Sequence, residues 1–262
     1  MALVASRLTK SFPGGKIAAR DVSVRVAPGD FVAIVGESGS GKSTTARMML
    51  HLLRPDSGTV TWNGTDLATM DRAALRQYRA KVQAVFQDPS GALNPRKRIR
   101  TILGEVIRFY GIATDRAGIE AEARRALELV GLAPAETYLD RFQHELSGGQ
   151  RQRVLIARAM IPRPEIVIAD EAVSALDVSI KAGILRLMED LRASQGVGYL
   201  LISHDLPVVR KVARHVYVMR NGQVVEEGPT AEVFDTPRHD YTRLLLGSAL
   251  DLDRILAGQG GA

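Results

Sequence analysis

The chain has 262 residues, of which 45% are apolar and 24% charged, and its formal net charge is +6. These proportions are ordinary for a soluble globular protein, and no run approaches the 18 apolar residues that suggest a membrane-spanning helix. The absence of cysteine excludes disulfides, thiolate metal sites and a cysteine nucleophile. The first residues show no signal-peptide pattern.

The first sixty residues favour β-strands. Val22, Val24 and Val26 alternate with polar residues, which is the two-residue period of a half-buried strand. A turn signal follows at 27–30, and residues 58–64 are typical of a short strand closed by a turn. We therefore expect an antiparallel β region near the start of the chain.

Residues 36–43 match the phosphate-loop pattern G-x-x-x-x-G-K-[ST] between an apolar strand-like run, 31–35, and a predicted helix over 44–53. The glycines allow backbone N–H groups to point at phosphates, while the lysine reaches the β- and γ-phosphates and the hydroxyl binds Mg²⁺. A Gly/Ser linker is the alternative, but a linker does not follow a buried strand. The pattern predicts a nucleoside triphosphate site. Its residues are Gly36, Glu37, Ser38, Gly39, Ser40, Gly41, Lys42, Ser43 and Thr44.

The character of the chain changes over 88–163, where strand-like runs vanish and helical periodicity dominates, as in 121–130. We interpret this region as an inserted helical subdomain. Apolar strand patterns return at 166–169 and 199–202, with a helical pattern at 178–193 between them. Short apolar strands separated by helices indicate a parallel sheet that is covered on both faces.

Two acidic residues, Asp170 and Glu171, follow the apolar run 166–169. Ligands of parallel α/β sheets bind at the carboxyl ends of strands. Asp170 is therefore predicted to hold Mg²⁺ through water, and Glu171 to accept a proton from an attacking water. An acidic N-cap of the next helix is the alternative interpretation.

The segment 146–150, Leu-Ser-Gly-Gly-Gln, opens a second apolar helix. Ser147 with Gly148 and Gly149 can form another anion-binding helix start. Alone, this triplet is equally compatible with a turn or a simple cap.

In combination, these motifs resemble the nucleotide-binding subunit of an ATP-binding-cassette (ABC) transporter over roughly residues 3–235. The matching features occur in the family's order, and they are the phosphate loop at 36–43, Gln87, the signature at 146–150, the acid pair Asp170 and Glu171, Ser174 to Asp177, and His204.

The resemblance implies an α/β fold with a P-loop NTPase core and a mostly parallel sheet, an antiparallel β subdomain and an inserted helical subdomain. The expected division is a catalytic core formed by 1–87 and 164–235, a helical signature subdomain at 88–163, and a tail at 236–262.

The resemblance also implies a head-to-tail pair of such domains, either two copies of this chain or this chain with a homologue. ATP would lie between the phosphate loop of one domain and the signature of the other. Ser147, Gly148, Gly149 and Gln150 would then contact the nucleotide of the partner.

Four further roles follow from the resemblance. Gln87 would approach Mg²⁺ and the attacking water and sense the membrane subunit, while Asp177 would communicate between the two sites. His204 would hydrogen-bond the γ-phosphate and orient Glu171, although a structural polar residue is the alternative. Phe12 would stack on adenine, or else be a core residue at a strand end.

A narrower resemblance points to ATPases that serve importers of oligopeptides, dipeptides and nickel. It is based on 87–96, on 174–179, and on a tail at 236–242 that resembles a His-Pro-Tyr-Thr ending. Asp240 stands where that ending usually has proline, and Ala172 replaces the usual proline after the acid pair. Nickel, metal chelates and peptides all remain candidate cargoes.

The implied partners are two transmembrane permease subunits, a second ATPase subunit and, indirectly, an extracytoplasmic solute-binding protein. The implied location is peripheral, on the cytoplasmic face of the inner membrane. No nucleic-acid partner is expected, since the basic cluster at 96–100 favours a solvated helix start over nucleic-acid or headgroup contact. A soluble accessory ATPase of a phosphonate-cleaving complex is the alternative function.

Overall fold

The structure is a computed structural model that describes residues 1–86, 89–174 and 176–248. The chain forms two compact units. Among the described residues, the first comprises Met1–Met70 and residues 199–248, and the second comprises Asp71–Gly198.

An antiparallel sheet in the first unit has the strand order β2-β1-β4-β5. Its strands are β1 (Leu3–Phe12), β2 (Lys16–Val26), β4 (Ser57–Trp62) and β5 (Thr65–Asp66). The predicted alternation is confirmed, because Val22, Val24 and Val26 are all buried while their neighbours Ser23 and Arg25 are exposed.

The first unit also contains the strand series β10-β9-β3-β8. These strands are β3 (Phe31–Val35), β8 (Gly198–Ile202), β9 (His215–Arg220) and β10 (Gln223–Pro229). Strand β3 is parallel to both β8 and β9, and β10 returns antiparallel to β9. Every residue of β3 and β8 is buried, as expected for parallel strands covered on both faces.

Short helices complete the first unit. They are α1 (Lys42–Met49), α9 (Leu206–Val212), α10 (Thr230–Asp235), a 3₁₀ turn (Leu67–Thr69) and a helical segment beginning at residue 240. The helix predicted over 44–53 is wrong in its bounds, because α1 ends at Met49. His51 adopts a left-handed φ of 55°, and Leu52 and Leu53 donate their N–H groups back to the Arg47 carbonyl.

The second unit has two parallel strands, β6 (Val82–Phe86) and β7 (Ile166–Asp170). Its helices are α2 (Arg72–Lys81), α3 (Pro89–Ala92), α4 (Ile99–Tyr110), α5 (Arg116–Leu129), α6 (Glu136–Leu139), α7 (Gly148–Met160) and α8 (Val178–Gln195), with a 3₁₀ turn at Gln143–Glu145. Helices predominate between β6 and β7, as the sequence predicts. The division at 87/88 and 163/164 remains a prediction.

Across the described residues, no helix combines the length and the apolar character that are needed to traverse a bilayer.

The cations of the basic cluster at 96–100 are largely paired within the second unit. Arg100 forms a bidentate pair with Asp140 at 2.8 Å and 2.8 Å, and Lys97 pairs with Glu105. The guanidinium of Arg98 lies 4.9 Å from the ring centre of Phe142. These contacts favour the predicted solvated helix start.

Candidate active site

The phosphate loop joins β3 to α1 through backbone that only glycine adopts without strain. Gly36 has a φ of 145°, and Gly41, the N-cap residue of α1, has a φ of 106°. A Cβ on Gly36 would lie 2.1 Å from the Met219 carbonyl oxygen, and one on Gly41 would lie 2.1 Å from that of Ala18. Contact with the backbone of β9 and β2 therefore excludes a side chain at both positions, in addition to the constraint from φ.

The side chain of Lys42 curls back onto the loop. The residue is only 5% exposed, and its Nζ donates to the carbonyl oxygens of Gly36 at 2.8 Å and Glu37 at 2.7 Å. The Ser40 hydroxyl lies 3.5 Å away. The ammonium is thus held inside the curve of the loop, where a phosphate would also lie.

Helix α1 begins without a side-chain cap and without an acidic residue in its first turn. Because the helix begins within the phosphate loop, its first N–H groups and its positive dipole end face the loop. Together with Lys42, this helix start fits a phosphate group, as the motif predicts. Ser43, the second residue of the helix, is half-buried beside it.

Within the described ranges, no group of three or more His, Asp, Glu or Cys side chains could hold a metal ion. The predicted donors for Mg²⁺ are the hydroxyl of Ser43 in the first unit and, in the second unit, the carboxylate of Asp170 and the side chain of Gln87, which lies outside the described residues. Hard oxygen donors suit Mg²⁺, which usually keeps several waters and binds substrate phosphates, so the chemistry of each predicted donor fits the ion.

The acid pair stands at the carboxyl end of β7. Asp170 is the last residue of the strand, is 7% exposed and pairs in register with Phe86 of β6. Glu171 has a left-handed φ of 51°, which is uncommon for a residue with a side chain. Both the N–H and the hydroxyl of Ser174 donate to the Glu171 carbonyl, at 3.1 Å and 2.9 Å.

Gln87 and Ala175 lie outside the described residues. Gln87 directly follows Phe86, the last residue of β6, and Glu171 directly follows Asp170, the last residue of β7. In the sequence, Gln87 and Glu171 therefore come directly after neighbouring parallel strands.

His204 follows β8 in the first unit. Ile34 and Ile202 are paired in the neighbouring parallel strands, and the Ser203 N–H donates to the Ile34 carbonyl at 3.2 Å. His204 therefore leaves the sheet at the same edge as the phosphate loop, and it is exposed. The next residue, Asp205, caps α9 through the N–H of Val208.

The signature segment begins α7 with a complete capping box. The Gln150 N–H donates to the Ser147 hydroxyl at 3.2 Å, and the Ser147 N–H donates to Gln150 Oε1 at 2.9 Å. A Cβ on Gly149 would lie 2.7 Å from Cγ2 of Ile180 on α8, so packing explains this glycine. A Cβ on Gly148 would make only an ordinary 3.8 Å contact with Leu176.

The remaining predicted residues are at exposed positions. Asp177 is the N-cap residue of α8 and makes no side-chain cap hydrogen bond. Phe12 ends β1 beside the tight turn to β2 and is 39% exposed, which argues against the alternative of a core residue.

Two contacts on the phosphate loop were missed by the sequence reasoning. The Gly222 N–H, in the turn between β9 and β10, donates to the Ser40 carbonyl at 2.9 Å. The hydroxyl of Tyr241 accepts a hydrogen bond from the Glu37 N–H at 3.1 Å. Tyr241 belongs to the tail motif at 236–242, and this motif was the one feature of the sequence that pointed to the segment.

The sequence profile of the family described as "ABC transporter" matches residues 19–174. The chain belongs to this family. The match covers the loop, the signature and the acid pair, and it agrees with the α/β fold with parallel strands and a separate antiparallel sheet. The chain is therefore an ATPase of the ABC family.

Curated relatives include the glutathione import ATP-binding protein GsiA of Escherichia coli K12, which is 46% identical over 233 residues. GsiA of Salmonella typhimurium LT2 is 43% identical over 234 residues. Each alignment covers 88% of this chain but 37% of the relative. The chain thus spans little more than a third of the length of the curated relatives that it matches.

Solved structures of the same family share the fold. The ATP-binding cassette MJ0796, a dimer in a post-hydrolysis state bound to ADP and Pi, has a TM-score of 0.76 and 29% identity, covering 87% of this chain and 98% of that one. The cbiO1 protein of Clostridium perfringens, described as part of the ABC transporter complex cbiONQ, has a TM-score of 0.79 and 26% identity, with coverages of 97% and 96%.

Proposed function

We propose that the chain is the ATP-hydrolysing subunit of an importer and energises uptake through separate transmembrane subunits. The arrangement of the phosphate loop carries the nucleotide-binding part of this proposal, and the import part rests on the relatives named for glutathione import. A buried ammonium, Lys42, and the uncapped start of α1 face the same curve of backbone. Few ligands other than a polyphosphate match two such positive groups at once.

In the proposed reaction, Lys42 transfers its hydrogen bonds from the loop carbonyls to the phosphates. Glu171 accepts the proton of the attacking water, and His204 donates a hydrogen bond to the γ-phosphate. Ser43 and Gln87 would hold Mg²⁺ directly, and Asp170 would hold it through a water molecule. The bound ion would neutralise negative charge on the phosphates. Phe12 would stack on the adenine, since its ring is accessible at the end of β1.

We further propose a head-to-tail pair in which Ser147, Gly148 and Gly149 of one copy contact the nucleotide of the other. Gly148 supports this arrangement, because neither its φ nor its own packing requires a glycine. A partner that approaches this helix start closely would require one. The dimeric state of MJ0796 is consistent with this pairing. Asp177, exposed at the start of α8, would communicate between the two sites.

The proposed cargo is a peptide. The GsiA relatives are named for the import of glutathione, which is itself a tripeptide; nickel and metal chelates are the competing cargoes. The proposed partners are two permeases, a second ATPase subunit and a solute-binding protein, with the chain peripheral on the cytoplasmic face of the inner membrane.

Two variants test the roles proposed for Glu171 and Lys42. Glu171→Gln should retain ATP binding, accumulate an ATP-bound dimer in size-exclusion chromatography and lose nearly all turnover. Lys42→Ala should instead weaken nucleotide binding itself. Normal steady-state hydrolysis by Glu171→Gln would remove Glu171 from the role of base, and unchanged affinity in Lys42→Ala would contradict the assignment of the loop.

Co-purification from the native membrane tests the importer proposal. Recovery of integral membrane subunits supports transport, whereas recovery of a soluble enzyme complex would favour an accessory ATPase of the phosphonate-cleaving type.

A further inference from the structure

The tail motif at 236–242 is anchored to the first unit, although the proposed reaction gives it no task. Glu226 of β10 accepts hydrogen bonds from the N–H groups of Arg238 at 2.8 Å and His239 at 3.0 Å. His239 in turn accepts the Tyr241 N–H through Nδ1 at 3.1 Å. The helical segment that begins at residue 240 is thereby fixed at its start.

Asp240 stands where this motif usually has proline, and its position in the structure explains why both residues are suitable. It is the first residue of the helical segment, a position at which proline is favoured and at which an acidic side chain interacts well with the helix dipole. Its carboxylate also pairs with Arg243 one turn later. The substitution therefore preserves the helix start.

Tyr241 connects this anchored segment to the phosphate loop. Tyr241 is 2% exposed, and its hydroxyl accepts the Glu37 N–H at 3.1 Å. The Arg220 guanidinium lies over its ring, 4.7 Å from the centre. Burial raises the pKa of the Tyr241 phenol further above neutral pH, so the hydroxyl stays uncharged.

The other side of Glu37 carries the lysine. The Glu37 carbonyl accepts from Lys42 Nζ at 2.7 Å and from the Ser40 N–H at 3.2 Å. The backbone groups of Glu37 therefore link the Tyr241 hydroxyl to the ammonium that binds phosphate.

We propose that Tyr241 is a positioning residue for nucleotide binding: by holding the Glu37 N–H, the tail fixes the first half of the phosphate loop in its binding conformation. The inference rests on the proposed binding of ATP at this loop. It assigns to the tail motif control over nucleotide affinity. The hydrolytic groups Glu171 and His204 make no part of this contact.

Tyr241→Phe is the direct test, because it removes the hydroxyl and keeps the ring that stacks on Arg220. We expect the dissociation constant of mant-ATP and the KM for ATP to rise about three- to tenfold, which is the effect of one hydrogen bond. The kcat at saturating ATP should stay within about twofold of the parent value. A purely structural role would lower the melting temperature without this separation of KM from kcat.

Tyr217→Phe is the matched control. The Tyr217 hydroxyl accepts the Arg25 N–H at 3.2 Å in the same unit, so the control loses an equivalent hydrogen bond away from the loop. It should lower the melting temperature comparably and leave the mant-ATP affinity unchanged. Equal changes of affinity in both variants would overturn the proposal.

Two further variants make the outcome decisive. Glu226→Ala removes the carboxylate that accepts the N–H groups of Arg238 and His239, so it should release the tail and raise the dissociation constant of mant-ATP. If Tyr241→Phe does not fold, unchanged mant-ATP affinity in Glu226→Ala overturns the proposal. Lys42→Ala separates the two hypotheses: lost affinity there, with parental affinity in Tyr241→Phe, rejects the role of the tail but keeps the ATP site.

Discussion

The hydroxyl of Ser174 donates a 2.9 Å hydrogen bond to the carbonyl oxygen of Glu171, and the Ser174 N–H donates to the same oxygen at 3.1 Å. Glu171 needs this support because its φ of 51° lies in a region that side chains disfavour by about 1–2 kcal/mol. Two donors to one carbonyl hold the backbone in this conformation. The direction of the Glu171 side chain therefore depends on Ser174.

Ser174→Ala should lower kcat by about three- to tenfold, because it removes one of the two hydrogen bonds that orient the proposed base. The mant-ATP affinity should not change. Ser194→Ala is a suitable control, since its hydroxyl makes a 2.7 Å bond to the Asp190 carbonyl on α8. A fall in kcat of the same size in the control would show that Ser174 has no specific role. Steady-state kinetics and nucleotide titration give both quantities.

Gly36→Ala should abolish measurable nucleotide binding, because its Cβ would lie 2.1 Å from the Met219 carbonyl. Gly39→Ala is the matched control: Gly39 also has a positive φ, of 80°, but nothing lies within 4 Å of the added carbon. The control should lose only about 1–2 kcal/mol of stability from backbone strain. Similar losses of mant-ATP affinity in both variants would argue that strain, and not the contact with β9, decides the geometry of the loop.

Gly148→Ala and Gly149→Ala should fail in different ways. The Gly149 variant should lose stability, since its Cβ would lie 2.7 Å from Ile180 Cγ2. The Gly148 variant should fold as stably as the parent, yet lose the ATP-bound dimer and at least about tenfold in hydrolysis, because the added methyl displaces the partner's phosphate. Thermal unfolding and chromatography in the Glu171→Gln background separate these effects. A stable, fully active Gly148 variant would refute the proposed pairing.

Glu226→Gln should lower the melting temperature at neutral pH. Burial alone raises the pKa of Glu226, but the Arg238 N–H, the nearby Thr242 hydroxyl and the His239 N–H together outweigh it and hold that pKa below the usual range. A depressed pKa in the folded state contributes stability above the pKa of the unfolded chain and loses it as the pH falls through the folded value.

The difference in melting temperature between the parent and Glu226→Gln should therefore be largest at neutral pH and should disappear below about pH 4. Thermal unfolding at a series of pH values measures it. A difference that does not depend on pH would show that the carboxylate charge plays no part in anchoring the tail.

The strands could be predicted well because their signal is local. The period of Val22, Val24 and Val26, and the unbroken apolar runs of β3, β7 and β8, report burial directly. The ends of helices were harder to predict. Helix α1 stops at Met49 because of a backbone reversal at His51, and no residue type in the run announces it.

The candidate site divides in the same way. Lys42, Asp170 and Glu171 could be assigned from sequence, because phosphate binding and base chemistry need particular residue types at fixed positions after a strand. The support of Glu171 by Ser174 depends on actual dihedral angles. No pattern of residue types distinguished Gly148, which has room for a side chain, from Gly149, which has none.

The sequence by itself determined the family, the order of its motifs and the residues that bear charge or hydroxyl groups, because these are properties of short contiguous segments. Only the tertiary structure decided what holds these segments in place. The Glu37 N–H meets the Tyr241 hydroxyl 204 positions later in the chain, and Gly36 packs on the Met219 carbonyl. Such contacts arise from strand order and helix docking, and local propensity carries no information about them.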